Sequence, residues 1–232
     1  MRFFFVPDIT GSQVVLDEDT SKHITQVLRM KVGDELLLTD GRGTKATAII
    51  EDDHRKRCAV RVLEKEDEPQ PQPRIAIAIS LVKNAARFEW FLEKATEIGV
   101  SEIIPLICSR TEKEKFRLDR LQGIITSALL QSQQSWMPVL HEPVAFNQLV
   151  ASRTDEQKFI AHCLPNEKTA LASVAGGQSS IILIGPEGDF TPEEIEATLA
   201  RGYQPVALGD TRLRTETAGM VAATILRIAS PK

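Results

Sequence analysis

The sequence predicts an α/β protein in two parts, a small β-rich part followed by a larger domain with a mostly parallel sheet. The boundary is a run in which Pro69, Pro71 and Pro73 occupy alternate positions, and such a run cannot join a helix. Short strand patterns precede this run, and strands alternating with helices follow it. We therefore predict one domain over residues 1–70 and a second over residues 74–232.

The first part contains strand patterns separated by turn residues such as Gly33-Asp34 and Gly41-Arg42-Gly43. The predicted strands are residues 3–6, 13–16, 35–39, 44–50 and 58–63. A helix is predicted from about Asp19 to Arg29. Five short strands in so short a segment are typical of a small β-barrel.

In the second part, strand patterns alternate with longer segments in which apolar residues recur at helical spacing. Strands are predicted at residues 74–81, 103–108, 159–161, 181–184 and 206–208, with helices over residues 86–98, 115–134 and 218–228. Gly99 can end the first of these helices. Another helix should begin after Thr191, because Thr191 and Glu194 form a capping-box pattern and Pro192 suits the first helical position.

Two glycine-containing loops follow the last two predicted strands. Gly185-Pro186-Glu187-Gly188 comes after residues 181–184, and residues 209–217 come after residues 206–208. Open α/β sheets bind ligands at the carboxyl ends of their strands, so the two loops can line one pocket. Glycine with proline after a strand also forms ordinary structural turns, and that alternative stays open for either loop alone. Neither loop has the P-loop or dinucleotide pattern, which disfavours triphosphate and dinucleotide sites.

Composition excludes several classes of protein. The chain has a net charge of −4 and a pI near 5.7, which argues against a broadly basic nucleic-acid protein but leaves room for a local basic face. The apolar stretch at residues 75–82 is too short to span a bilayer, and Pro7 and Asp8 interrupt the apolar start. The three cysteines lie far apart, and His23 has no partner at ligand spacing. We expect a reduced cytosolic protein without a membrane segment or a metal.

The two loops carry a resemblance to a known family. Gly185-Pro186-Glu187-Gly188, Leu208-Gly209 and Leu213-Arg214-Thr215-Glu216-Thr217-Ala218 resemble the RsmE family of SPOUT-class methyltransferases, which modify the ring N3 of a uridine in small-subunit ribosomal RNA. Residues 23–34, 88–100 and 131–138 resemble further family segments. The resemblance covers essentially the whole chain in the right order.

The resemblance implies a fold, a cofactor and partners. It implies an N-terminal PUA-like β-barrel that helps to hold RNA and a C-terminal SPOUT domain tied in a deep trefoil knot. It also implies a homodimer with an S-adenosyl-L-methionine pocket formed by the knot loops beside the subunit interface. Carried over by motif, the residues around the cofactor are Ile184, Gly185, Glu187, Gly188, Leu208, Gly209, Leu213, Thr215, Glu216, Thr217 and Ala218.

Two positions depart from the family pattern. Asp189 stands where the family commonly has a second glycine, and Gln134 stands where many members carry arginine. Aspartate tolerates left-handed backbone geometry better than most residues, so the turn at Asp189 is expected to survive. The glutamine removes one candidate phosphate contact.

The chemistry of methylation suggests roles for two charged residues in the second loop. The uridine N3 becomes a better nucleophile when its proton leaves, and a cation can stabilise the charge that develops on the uracil. We assign Arg214 as the charge stabiliser and Glu216 as the candidate base. The alternative for Glu216 is that it only orders the loop by accepting backbone hydrogen bonds, and the same alternative holds for Glu187.

Candidate RNA contacts are basic residues, for which an ordinary solvated surface charge is the competing interpretation. They are Arg2, Lys22, His23, Arg29, Arg42, Lys83, Arg87 and Arg110. Two other functions compete with RNA methylation: a non-catalytic RNA-binding protein with a decayed catalytic domain, and a small-molecule enzyme using another adenosine ligand. The first predicts damaged cofactor loops, and the second gives the N-terminal part no evident purpose.

Overall fold

The computed structural model describes residues 2–112, 116–165 and 167–230 and groups the chain into two compact units. The first unit comprises Met1–Gln70 and Leu129–Met137, and the second comprises Pro71–Ala128 and Pro138–Lys232. The sequence interpretation placed residues 129–137 in the second domain, whereas the structure groups them with the first unit.

The first unit is built on a five-stranded mixed sheet. Its strands are β1 (Phe3–Phe5), β2 (Gln13–Val15), β3 (Glu35–Thr39), β4 (Thr44–Asp52) and β5 (Ala59–Asp67). Their order is β1-β3-β4-β5-β2, in which only the β1–β3 pair is parallel. Helix α1 (Glu18–Lys22) continues into a π-helical turn, His23–Val27, and Ile24 of this turn is fully buried in the core with Leu36 and Leu38.

Strand β5 is longer than the sequence predicts. It continues from residue 63 to Asp67, through the charged residues that precede the proline run. Pairing with β4 explains the extension, because the Thr44 hydroxyl donates to the Asp67 carboxylate at 2.8 Å and Lys45 Nζ donates to Glu68 at 2.6 Å. Charged side chains suit a strand whose outer positions face water.

The second unit contains a parallel sheet covered by helices. Its strands are β6 (Ile75–Ser80), β7 (Glu102–Ile107), β8 (Val139–Leu140), β9 (Val144–Ala145), β10 (Gln157–Ala161), β11 (Thr169–Ala170), β12 (Ser180–Ile184) and β13 (Gln204–Ala207). The order is β11-β13-β10-β12-β6-β7-β8, with β9 also paired to β7, and every pair is parallel. The mostly parallel sheet expected from the sequence is confirmed.

The described residues form six further helices; four correspond to the predicted helices, whereas those at residues 146–152 and 171–174 had no predicted bounds. The six helices are α2 (Ala85–Ile98), α3 (Leu118–Ser132), α4 (Phe146–Ser152), α5 (Leu171–Val174), α6 (Pro192–Leu199) and α7 (Thr215–Ala229). The predicted start of the α3 helix at Lys115 lies outside the described residues. No helix in the described ranges is long and apolar enough to cross a membrane.

Local sequence signals specify the ends of α2 and α6. Gly99 ends α2 with a φ of 87°, as the sequence predicts. At α6, the Thr191 side chain accepts from the Glu194 amide and the Glu194 side chain accepts from the Thr191 amide, which completes the predicted capping box. Glu194 also accepts from the backbone and hydroxyl of Ser109 after β7, so this cap anchors a second loop.

Helices cover both faces of the parallel sheet. Side chains of alternate strand positions, such as Ile160 and Leu183, pack with Phe146 of α4 and Ile195 of α6. The strand residues between them, including Ile79, point to the other face of the sheet and contact α7. A Cβ added at Gly219 of α7 would lie 2.8 Å from Ile79 Cδ1 and 2.7 Å from Phe91 Cε2 of α2. The glycine therefore sets how closely α7 approaches the sheet.

A charge cluster surrounds Glu102 at the start of β7. Its carboxylate accepts from Arg74 at 2.9 Å, Arg153 at 3.1 Å and the His141 ring at 3.1 Å. Burial acts to raise the Glu102 pKa, but the hydrogen bond from Arg153 and the charges of Arg153, Arg74 and His141 together outweigh burial. The pKa of this carboxyl is therefore lower than usual.

Candidate active site

Three neighbouring strands end at one edge of the parallel sheet. Strand β10 lies between β12 and β13, and its last residue, Ala161, is paired with both Ile184 and Val206. The loops after these strands therefore start side by side. This arrangement brings together the two glycine-containing loops and a third loop that follows β10.

The three loops enclose two adjoining cavities of about 390 and 300 Å³. The larger cavity is lined mainly by residues after β13, together with residues of the loop after β10. The smaller cavity is lined by residues after β12 and by residues at the start of α7. The residues common to both are Ala161, Cys163, Arg212, Leu213 and Ala218. Both volumes are in the usual range for small-molecule sites.

Hydrogen bonds tie the loops to one another. The Thr215 hydroxyl, at the start of α7, donates to the Gly185 carbonyl at 3.0 Å. Asp189, in the loop after β12, accepts from the Cys163 backbone amide at 2.8 Å. Gly209 has a φ of 141°, a conformation that favours glycine although a Cβ there would meet nothing within 4 Å. Backbone geometry, not space, explains the glycine at that turn.

The loop after β10 was not identified as part of the site from the sequence. Its residues His162, Cys163 and Lys168 line the larger cavity. Lys168 Nζ donates to the carbonyls of His162 and Leu164, at 2.8 Å in each case. Burial lowers the pKa of the His162 ring, and the charge of Lys168 acts in the same direction, while that of Asp189 opposes them. Placing this loop requires the strand order, which no local pattern reveals.

Most residues assigned to the cofactor from the motif line one of the two cavities. Those that do are Ile184, Gly185, Glu187, Leu208, Gly209, Leu213, Thr215 and Ala218. Gly188, Glu216 and Thr217 do not line either cavity. The Gly188 carbonyl instead accepts from Arg110 Nη1 at 2.7 Å.

The two residues assigned to chemistry occupy different environments. Helix α7 begins at Thr215, three residues earlier than predicted, so Glu216 lies in its first turn and not in a loop. The side chain of Glu216 is buried and its Oε1 lies 3.6 Å from Nε of Arg87 on α2. Arg214 precedes the helix, is exposed and lines the smaller cavity.

Comparisons with known proteins show the family of this chain. The sequence model of the RNA methyltransferase domain family matches residues 68–227, and that of the RNA methyltransferase PUA domain matches residues 16–63. A ribosomal RNA small subunit methyltransferase E from Synechocystis sp. is 30% identical over 95% of this chain and 75% of its own length. The chain belongs to the RsmE family.

Solved structures resemble the RsmE chain over nearly its whole length. The crystal structure of a probable rRNA-methyltransferase from Porphyromonas gingivalis has a TM-score of 0.94 and 39% identity, and the match covers 99% of this chain and 98% of the other. A ribosomal RNA small subunit methyltransferase E from Neisseria gonorrhoeae, bound to S-adenosyl methionine, has a TM-score of 0.89 and 26% identity over 99% and 98% of the two chains.

The departure from the RsmE pattern at Asp189 keeps the turn that glycine would allow. Asp189 has a φ of 65°, which is the left-handed conformation expected for this position. Its amide donates to the Pro186 carbonyl at 2.9 Å, and its own carboxylate accepts from the Phe190 amide at 2.9 Å.

Three of the candidate RNA contacts surround the site in the second unit. The Lys83 backbone amide donates to Glu187 at 3.2 Å, and Lys83 Nζ lies 3.2 Å from Glu112. Arg87 pairs with Glu216, and Arg110 holds the carbonyl of Gly188 as described above. Of these three cations, Arg110 bonds to a loop of the site, whereas Arg87 pairs with the first turn of α7 and the Lys83 ammonium pairs with Glu112.

The other candidates lie in the first unit. Lys22 pairs with Glu18 at 2.8 Å, and Arg42 Nη2 donates to the Pro7 carbonyl at 2.7 Å. His23 is exposed, with its ring edge-on to Phe4. Arg2 and Arg29 are exposed, and Arg29 has a left-handed backbone with a φ of 57°. Across the parts of the chain that the structure describes, no three potential metal ligands cluster.

Proposed function

We propose that this protein transfers the methyl group of S-adenosyl-L-methionine to the N3 atom of a specific uridine in small-subunit ribosomal RNA. One observation carries the proposal: the turns after Ile184 and Ala207 meet around adjoining cavities, in a chain of the RsmE family. The S-adenosyl methionine bound to the Neisseria relative supports this choice of cofactor.

The lining of the cavities suits an adenosyl ligand. Gly185 and Gly209 expose backbone at the walls, and Leu213 and Ala218 supply apolar surface between the two cavities. These residues would hold the cofactor, together with Ile184, Leu208 and Thr215. When bound, the cofactor supplies a methyl group that needs no metal for its transfer.

Arg214 is positioned to stabilise negative charge. It is exposed at the smaller cavity, and among the described residues no hydrogen bond or ion pair engages its guanidinium. The first turn of α7 follows immediately, and the unpaired amides of a helix N-terminus also favour an anion. A uracil that loses its N3 proton at this position would be stabilised by both features.

Glu187 fits the role of proton acceptor better than Glu216. Glu187 lines the smaller cavity and is exposed, and one of its oxygens accepts from the Lys83 amide. Glu216 lines neither cavity and faces Arg87. We therefore assign the base to Glu187 and the ordering role to Glu216, which reverses the preference drawn from the sequence.

The RNA and the assembly complete the proposal. Residues 1–70 would hold RNA, and residues 74–232 would carry out transfer as a SPOUT domain with a trefoil knot. Lys83, Arg87 and Arg110 would contact phosphates beside the site, and Arg2, Lys22, His23 and Arg29 would do so in the first domain. We propose a homodimer that works in the cytoplasm on an assembled or assembling small subunit.

Two experiments test this function. Mass spectrometry of small-subunit ribosomal RNA from cells lacking the protein should show the loss of one N3-methyluridine, and restoring the gene should restore it. An unchanged N3-methyluridine content contradicts the proposed substrate. Calorimetric titration should give heat with S-adenosyl-L-methionine and none with NAD. Heat with NAD and none with S-adenosyl-L-methionine would favour an enzyme that uses another adenosine ligand.

A further inference from the structure

The loop after β10 forms a third wall of the cavities, and its shape depends on two charged side chains. We propose that Asp189 and Lys168 are positioning residues that fix this loop, here called the β10 loop (described residues 162–165, 167 and 168), for cofactor binding. The inference rests on the proposed function, because it concerns the same pocket. Asp189 and Lys168 are not among the residues assigned to the cofactor from the two glycine-containing loops.

Asp189 joins two different loops through one carboxylate. Oδ2 accepts from the Cys163 amide at 2.8 Å, and Oδ1 accepts from the Phe190 amide at 2.9 Å. Cys163 lines both cavities, and Asp189 itself lines the smaller one. Hydrogen bonds to an ionised acceptor are about twice as strong as neutral ones. The carboxylate therefore holds the wall at Cys163 against the turn after β12.

Lys168 closes the same loop from its other end. Its ammonium donates to the carbonyls of His162 and Leu164, and its side chain lines the larger cavity. A loop of this kind would otherwise sample many conformations, and ordering it on binding reduces affinity. Fixing the loop in advance lowers that cost, so both residues should act on cofactor affinity.

The chain offers a matched control for each residue at the opposite end of β10. Glu156 accepts from the Ser179 amide at 2.9 Å, which is a carboxylate-to-amide bond between two loops like that of Asp189. Lys158 Nζ donates to the Arg201 carbonyl at 2.5 Å, as Lys168 does to its carbonyls. Glu156 and Lys158 do not line either cavity. Their substitution therefore removes the same kind of contact without touching the pocket.

The test compares methyl transfer kinetics in the full-length protein carrying Asp189→Gly or Lys168→Met with those in the Glu156→Gly and Lys158→Met controls. Glycine at position 189 tolerates the positive φ, so this variant removes the carboxylate without straining the backbone. We expect KM for S-adenosyl-L-methionine to rise about tenfold in Asp189→Gly and Lys168→Met, with kcat and KM for RNA within about twofold of wild type. Both controls should keep the wild-type KM. Asp189→Asn retains one acceptor oxygen and should give an intermediate KM.

Cys163 provides a readout independent of activity. It is the exposed cysteine of the three, whereas burial raises the pKa of Cys58 to about 11 and that of Cys108 to about 12. Labelling with a maleimide should therefore modify Cys163, and S-adenosyl-L-methionine should protect it. About tenfold more ligand should be needed for protection in Asp189→Gly.

The outcomes separate the two proposals. Suppose that wild type binds S-adenosyl-L-methionine, and that Asp189→Gly matches Glu156→Gly both in KM for this cofactor and in protection of Cys163 from maleimide. The positioning role is then wrong while the proposed function stands. A fall in kcat at unchanged KM would also overturn it. If wild type shows neither heat nor protection with S-adenosyl-L-methionine, the proposed function fails and the positioning role fails with it.

Discussion

Replacing glycine with alanine in α7 and in α3 should change the free energy of unfolding in opposite directions. In Gly219→Ala the new Cβ would lie 2.7 Å from Phe91 Cε2 and 2.8 Å from Ile79 Cδ1. Both side chains are fully buried and cannot move into solvent. In Gly123→Ala, within α3, the new Cβ would meet nothing within 4 Å.

The expected magnitudes follow from these distances. Favourable carbon contacts lie at about 3.5–4.0 Å, so Gly219→Ala must displace α7 or its neighbours, at a cost of about 1–3 kcal/mol. Alanine recovers up to about 1 kcal/mol of helix propensity at either site. Gly219→Ala should therefore lower the free energy of unfolding by about 1–2 kcal/mol, and Gly123→Ala should raise it by up to about 1 kcal/mol.

Thermal unfolding measured by circular dichroism distinguishes the two variants. For a chain of this size about 1 kcal/mol corresponds to about 2–4 °C, so a difference of about 1–3 kcal/mol between the variants should separate their Tm values by roughly 2–12 °C. Gly219→Ala should also weaken binding of S-adenosyl-L-methionine, because Thr215 of the same helix bonds to Gly185. Equal Tm values, or a more stable Gly219→Ala, would refute the close approach of α7 to α2 and β6.

Three further predictions concern charged residues. Arg214→Ala should reduce kcat by about 10²–10³-fold and change the free energy of unfolding by less than about 0.5 kcal/mol. The control Arg201→Ala, which also removes an exposed arginine, should retain the wild-type kcat. A lower Tm with normal kcat in Arg214→Ala would contradict the role of Arg214. Glu187→Gln should slow single-turnover methyl transfer more than Glu216→Gln, and the reverse order would return the base to Glu216. Glu102→Gln should lower the free energy of unfolding by about 3 kcal/mol at pH 7 in urea titrations. The folded-state pKa of Glu102 is lower than its usual value of 4.5, so the stability that the ionised carboxylate contributes is present above pH 4.5. This stability disappears as the pH falls through the folded-state pKa. A difference in free energy of unfolding between Glu102→Gln and wild type that grows in acid would contradict the role of Glu102.

Features encoded by neighbouring residues were predictable from the sequence. The capping box of Thr191 and Glu194 and the end of α2 at Gly99 depend on side chains within a few positions, and the structure confirms both. The strand-then-turn pattern at Gly185 and Gly209 was visible for the same reason. These signals placed most of the residues that line the cavities.

Features that depend on distant contacts were not predictable. The β10 loop joins the site only because β10 lies between β12 and β13, and a single sequence does not reveal that order. The bond from Cys163 to Asp189 spans twenty-six positions. Glu216 looked like a loop residue because no side chain caps α7, whose first turn begins at Thr215. Its pairing with Arg87 then follows from the packing of α7 on α2.

The most direct test of the account is a crystal structure of the protein grown with S-adenosyl-L-methionine. The adenosyl group should contact both the turn that begins at Gly185 and the turn at Leu208 and Gly209, with its methyl group directed toward Arg214. Ligand density bordered by only one of these turns, or located elsewhere on the protein, would contradict the claim that the two loops form a single cofactor site.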